Sequence, residues 1–415
     1  MALNKGGRGM KTILVLGAGV YQYPLIEAAS KYGKVIVVAP EISEDINKYI
    51  DKKYICDVTD QQKILEIAAS EKIDAVVTDQ TDIAVRTVAY VAEKLNLPGI
   101  GYDTACLFTD KARMRKKLSE IGIPVLPNME VNNLEDALSF FNFLNVPVII
   151  KPSDNQGSRG VFRINNAEEL KNKFDESIAF SRSQSVVIEK LACGREFVVE
   201  GLTYNNNYHT LICGDTDYFS IPDAYAAKTR TFPSRAPKGL VNRVCELNKK
   251  IIEGFGLSNG ISHSEFIMDG DEIYLIETAA RGGGVFISSD LIYLGSGVKS
   301  EDFLINLALG NNDIKINITS GKCCGYLAFY LSNGIVQSVD GIEKVKSLEY
   351  VHRNLLDNIH VGMHVKNSND KTSRYSIIVS ADSNEQLYER MNTIKNILSV
   401  KSLDENGNLG DIIWN

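Results

Sequence analysis

The chain has 415 residues, enough for two or three domains, and its 44% apolar and 23% charged residues are the profile of a globular protein. Forty-five basic against 52 acidic residues leave a net charge of −7, which argues against nucleic acid or an anionic membrane as the main partner. No apolar run approaches the roughly 18 residues of a membrane span, and none resembles a secretory signal. Residues 1–9 read as an appended leader, with the natural start at Met10. From Lys11, TILVLG is a short β-branched strand and PLIEAASKYG a helix closed by Gly33. VIVVAP, a helix at Gln61–Glu71, DAVVTD and a helix at Ile83–Leu95 continue the alternation. Such alternation predicts a parallel sheet covered by helices over 10–104.

Asp110–Ile121 reads as one helix, and VPVIIKP with the loop Asn155–Gly160 as strand and turn. QSVVIEKL, REFVVEGLTY and HTLICG are β-rich, Lys249–Phe255 is helical, and SEFIMDGDEIYLIE is a hairpin with an Asp-Gly turn signal. The stretch 318–415, with one clear helix at Glu385–Ile397, reads as a separate α+β unit. Seven cysteines, an odd number without a C-x-x-C pair, describe neither a disulfide framework nor a zinc site. Cys323 and Cys324 read as strand residues, and a reducing cytoplasm is the expected location.

Gly17-Ala18-Gly19 closes the first strand and opens a helix, where backbone amides can approach a phosphate. Gln22 replaces the third glycine of the dinucleotide fingerprint, and Glu41 arrives late for a ribose contact. An NAD-dependent oxidoreductase is therefore the rival reading.

Four features in order carry more chemistry. Lys111 opens KARMRKK, a run whose ordinary reading is a solvated basic face. Lys151 ends an apolar strand, and a buried ammonium needs a partner, which a phosphate would provide. The loop Asn155–Gly160 has the glycines and serine of a flap over phosphates, although a plain hairpin turn has them too. Glu265 and Glu277 offer hard oxygen ligands for magnesium, and Arg281-Gly282-Gly283-Gly284 follows them.

The order of Lys111, VIIKPSDNQGSRGV, VVIEKLACGREFVVEG and SEFIMDGDEIYLIETAARGGG resembles the ATP-grasp superfamily, over roughly residues 11–312. That resemblance implies a pre-ATP-grasp α/β domain at 10–104, an ATP-grasp domain at 105–317 with a mobile lid at about 123–190, and a small C-terminal α+β domain at 318–415. It implies that Lys111 and Lys151 hold ATP phosphates, with Gly157, Ser158 and Gly160 in the flap. Glu189, Lys190 and Leu191 match the hinge at the adenine edge, and Glu196 the acid that takes the ribose hydroxyls. Glu265 and Glu277 match the metal carboxylates, and Arg281, with Lys151, the catalytic cations. Ala279 stands where the family often has asparagine, which puts a second metal in doubt.

The function so implied is an ATP-dependent carboxylate–amine ligase working through an acyl phosphate, with ATP and Mg2+ (or Mn2+ in its place). A bicarbonate-activating carboxylase or carbamoyl-phosphate-synthetase-like enzyme competes with that reading, as does a catalytically dead nucleotide-binding subunit. The expected partners are small-molecule carboxylates and amines, with no nucleic acid and no membrane; monomer and homodimer are both open. DYFSIPDAYAAKTRTFPSRAP reads as a long substrate loop in which Lys228 and Arg230 hold a carboxylate, helped by Gly283. His209 and His263 carry no role that the resemblance supplies.

Strand parity adds one geometric expectation. If Asp269-Gly270 alone formed the hairpin loop, Glu277 would face away from Glu265. A three-residue connection, Asp269–Asp271, would bring Glu265, Ile267, Ile273, Leu275 and Glu277 to one face. An odd-length connection is therefore expected.

Overall fold

The computed structural model describes residues 10–155, 159–221, 226–311, 313–366 and 373–415. The first unit is a parallel sheet in the order Lys52–Ile55, Gly33–Ala39, Lys11–Leu16, Ala75–Val77. Its first strand is apolar on both sides because each side meets helices: Ile13 and Val15 enter one core, Leu14 and Leu16 the other. The α/β expectation for this region holds.

A small antiparallel sheet follows, ordered Asn128–Val131, Val186–Lys190, Val148–Pro152, Phe162–Ile164. The helices Leu134–Leu144 and Ala167–Ala179 pack on it through Phe141, Leu170 and Phe174. Neither helix is among those expected from the sequence. Each is opened by an asparagine, Asn133 or Asn166, whose side chain accepts from the third amide onward.

The large sheet is antiparallel and nine-stranded among the described residues. It runs Glu272–Ala279, Gly260–Asp269, Arg195–Tyr204, Asn207–Tyr218, Ala227–Phe232, Cys323–Leu331, Tyr375–Ala381, Val351–Asn354, with Ile412–Ile413 branching from Cys323–Leu331. The stretch after 318 enters this sheet through Cys323–Leu331, which pairs directly with Ala227–Phe232. That strand is buried on both faces: Cys324, Tyr326, Ala328 and Tyr330 enter one core, Leu327, Phe329 and Leu331 the next. The expected substrate loop also differs, since its second half is the strand Ala227–Phe232; residues 222–225 lie outside the described residues. The helix expected at Lys249–Phe255 begins earlier and spans Lys238–Gly254. The C-terminal helix is Asn384–Ile397, capped by Ser383. Among the described residues no helix is long and apolar enough to cross a membrane.

Candidate active site

A cavity of about 380 Å³ lies between the small sheet, the large sheet and the loop after Ala75–Val77. Leu126, Ile149, Val161, Leu191, Ile267 and Ile276 give it an apolar lining, and most of the other lining residues are charged or polar.

Lys151 is 5% exposed, and its partner is a carboxylate: its Nζ donates to Glu189 Oε1 at 2.8 Å. Arg115 grips the same carboxylate through Nε at 2.5 Å and NH2 at 3.2 Å. Burial alone would raise the Glu189 pKa, but the charges of Arg115 and Lys151 outweigh it and hold it at about 2. Burial, only partly offset by Glu189, lowers Lys151 to about 8. Two cations against one anion leave this buried triad net positive, an environment suited to an anion.

Arg115 belongs to the run read as a solvated face. Lys111, Met114, Arg115 and Leu118 are all buried in the helix Lys111–Glu120, at the i, i+3, i+4, i+7 spacing of an inward stripe. That spacing was the available signal.

Glu189 reaches the site through its side chain. The amides of Lys190 and Leu191 already donate to Pro127 and Pro147 carbonyls, at 2.9 and 3.0 Å. Lys190 Nζ meets Asp269 at 3.3 Å.

Lys111 Nζ bridges the Asn155 carbonyl (2.6 Å) and Glu277 Oε1 (2.9 Å). Gly157 and Ser158 lie outside the described residues. Gly160 does not line the cavity: at φ +73° it packs so closely on Pro152 and Phe180 that a Cβ would sit 2.9 Å from each. Arg159 and Val161, its neighbours, do line it.

The hairpin corrects the parity expectation. Asp269 pairs with Glu272, so the turn is Gly270-Asp271, two residues, with Gly270 at φ +64°. With that turn alone Glu277 would face away from Glu265. Instead the register slips between Phe266↔Leu275 and Glu265↔Glu277, leaving Ile276 as an inserted residue. This β-bulge turns both Ile276 and Glu277 into the cavity, while Ile273 and Leu275 go to the core. Arg115 NH2 donates to the Ile276 carbonyl at 2.8 Å, tying the bulge to the triad.

Alternation then assembles the sheet wall. His263, Glu265 and Ile267 point inward, and directly opposite on the next strand lie Glu200, Val198 and Glu196. Arg230 NH2 donates to Glu265 at 2.5 Å, although two strands separate theirs, so the sheet must curl strongly. His263 faces Glu200 through Nδ1 and Glu265 through Nε2 (3.1 Å). Burial pushes its pKa down, but those two carboxylates outweigh burial and raise it. Glu196 accepts from Tyr218 at 2.6 Å; burial, with Glu265 nearby, pushes its pKa up to about 7. Glu200 and His263 were findable, being at even spacing from Glu196 and Glu265.

Lys228 does not reach the site. It is the bulged residue between the pairs Asp217↔Thr229 and Tyr218↔Ala227, and its Nζ donates to Asn415 at 2.6 Å, outside the cavity. His209 lies on the strand Asn207–Tyr218 away from the cavity lining. Gly283 is also not a lining residue. Its amide donates to Glu200 at 3.0 Å, and a Cβ there would sit 2.6 Å from that carboxylate. Gly284 and Val285 form that wall, with Val285 at φ +58°, a strained value for a β-branched residue. Arg281 lines the cavity, but Asp82 accepts from its Nε and NH2 at 2.7 and 2.6 Å.

For a divalent cation the fit is partial and specific. Among the described residues no group of three potential ligands occurs, but Glu265 and Glu277 are cross-strand neighbours on the cavity side. Two carboxylates suit magnesium, which takes its other ligands from water and phosphate. Ala279 is buried and offers no donor. The first glycine loop is filled by its own chain: Gly19 donates to Gln22 Oε1 at 3.0 Å, and Gln22 Nε2 donates to the Asp79 carbonyl at 3.1 Å.

Residues 144–290 match the ATP-grasp domain family. The alanine–anticapsin ligase of Bacillus subtilis is 29% identical over 247 residues, covering 54% of this chain and 51% of that protein. The chain thus spans about half the length of that curated relative. An L-arginine-specific L-amino acid ligase of Bacillus subtilis is 24% identical over 313 residues, covering 72% of this chain and 74% of that one. The crystal structure of an L-amino acid ligase from Bacillus licheniformis has the same fold: TM-score 0.82, 20% identity, coverage 95% of this chain and 99% of that one.

Proposed function

We propose, from the match of residues 144–290 to the ATP-grasp domain family, that the chain is an ATP-dependent carboxylate–amine ligase. It would transfer the γ-phosphoryl group of ATP to a carboxylate oxygen, and an amine would then displace phosphate to form an amide. The observation that carries this reading is the meeting of two lysines, Lys111 and Lys151, with the carboxylates Glu265 and Glu277 around one cavity.

The apolar lining residues suit an adenine ring, and Glu196 suits the ribose hydroxyls. Lys111, Lys151 and Arg159, together with Gly157 and Ser158, are the groups to meet the phosphates. Mg2+ or Mn2+ held by Glu265 and Glu277 would neutralise phosphate charge. Arg281 is kept in one orientation by Asp82, and positioning of this kind supplies much of phosphoryl-transfer catalysis. His263 and Arg230 hold Glu265 in place. The filled Gly17–Gly19 loop speaks against the oxidoreductase reading.

The test is an ADP- and phosphate-release screen over carboxylates and amines, singly and in pairs, with bicarbonate as one acid. Release that needs both an organic acid and an amine is expected. Release with bicarbonate alone would favour the carboxylase, and nucleotide binding without turnover across the panel would favour a dead subunit.

A further inference from the structure

Most cations that line the cavity are already matched. Lys111 meets Glu277, Lys151 meets Glu189, Lys190 meets Asp269, Arg230 meets Glu265 and Arg281 meets Asp82, while Arg159 stands exposed. Arg374 is different. It comes from the C-terminal part of the chain, immediately before the strand Tyr375–Ala381, and it lines the same cavity. Its NH1 donates to the Ala227 carbonyl at 2.7 Å, and its guanidinium carbon lies 5.6 Å from the centre of the Tyr326 ring. Its Nε is buried and has no hydrogen-bond partner, which is also true of Arg230 Nε, but unlike Arg230 it has no acid paired with it among the described residues.

A buried N–H without an acceptor is costly, so an arginine in this state has its complement elsewhere. The carbonyl and the ring hold the guanidinium plane in place through NH1 and one face, and the remaining edge, Nε with NH2, has no hydrogen-bond partner among the described residues. That edge is the one with which arginine takes an oxyanion in parallel, bidentate fashion. The neighbours fit a small polar ligand: Tyr326 is the cross-strand partner of Arg230, and Tyr218 that of Ala227. The carboxylate to be phosphorylated belongs near Lys111 and Glu277, on the hairpin at the far edge of the sheet order.

We propose that Arg374 binds a second oxyanion of the substrate, a carboxylate or phosphate ester that takes no part in the chemistry. The substrates then fall in the class of small molecules that carry such a group besides the reacting one, such as dicarboxylates, phosphorylated acids, or amino acids entering as the amine. This rests on the ligase reading, so the test reads nucleotide and anion separately.

Thermal unfolding of the full chain and of Arg374→Lys and Arg374→Ala is followed first with Mg2+–ADP, then with ligands added at fixed Mg2+–ADP. The ligands are succinate against butyrate, glycerol 3-phosphate against glycerol, and L-alanine against L-alaninamide. In the wild type, at least one anion should stabilise at a concentration at least about tenfold below its counterpart, the range of a charge-assisted hydrogen bond. Which pair shows the advantage identifies the source of the anion. Both variants should lose it while keeping the full Mg2+–ADP shift, which also certifies their folding. An advantage that survives in Arg374→Lys and Arg374→Ala, or that is missing from the wild type, overturns the proposal. A wild type that Mg2+–ADP fails to stabilise sinks the nucleotide reading as well.

Discussion

On the wall of the cavity that carries the triad, Glu189 is sealed between Arg115 and Lys151, and its pKa falls to about 2. On the sheet wall Glu196, half-buried, has among the described residues only the Tyr218 hydroxyl as a hydrogen-bond donor, and its pKa rises to about 7. Burial acts on both acids in the same direction; the cations within reach decide the sign of the result. The triad wall therefore stores its charge in a closed cluster that holds structure. The sheet wall keeps its charge in groups able to change partner. Lys111–Glu277 is such a group, with the Glu277 side chain 36% exposed.

The largest effect that can break this division is on turnover. Glu277→Gln should lower ADP release on the order of 10²–10³-fold, the usual loss when a preorganised charge is removed. Glu272→Gln, at the exposed hairpin tip, should stay within about twofold. Equal losses in steady-state assays would remove Glu277 from the chemistry.

Next comes stability. Glu189→Gln leaves Arg115 and Lys151 buried together without their anion, and should destabilise by about 3–5 kcal/mol in denaturant unfolding. Lys151→Met leaves the Arg115–Glu189 pair intact, so it should lose turnover while unfolding cooperatively. A Lys151→Met protein with wild-type turnover would make the triad wall purely structural.

The two acids should also separate by pH. Glu189, with its folded pKa below the ordinary value near 4.5, stabilises the fold above that pH, and the contribution is lost as pH falls towards 2. Glu196, with its folded pKa raised to about 7, contributes below about pH 4.5 and loses that contribution as pH rises through 7. Nucleotide affinity should move oppositely, rising roughly tenfold through pH 7 as Glu196 ionises and can accept from ribose hydroxyls. Glu196→Gln should flatten both profiles in calorimetry and thermal unfolding. A step near pH 7 that persists in the variant would place the titrating group elsewhere.

The smallest effect concerns two residues of one strand. Lys228→Ala should change turnover less than about twofold, because the bulge turns Lys228 outward. Arg230→Ala, which strips Glu265 of its cation, should reduce turnover at least about tenfold. Matched effects would mean that the bulge does not separate them.

What the sequence determined by itself were the features written in local order. The β-branched runs alternating with helices set the parallel sheet, and the apolar strand ending in Lys151 set a buried cation that needs an anion. The even spacing within REFVVEG and SHSEFI set which acids and which histidine share a face. Tertiary structure alone decided who partners whom. Arg115 looked like one more surface charge until the helix Lys111–Glu120 docked and carried it to Glu189. Glu277 faces the cavity through a one-residue bulge that no turn rule predicts, held from outside its own hairpin by Arg115. Arg374 arrives from more than a hundred residues beyond the strand Gly260–Asp269 of the sheet wall, because Cys323–Leu331 joins that sheet and carries Tyr375–Ala381 with it. Local patterns encode which face a side chain occupies; the groups on the opposite face come from distant segments, and only packing selects them.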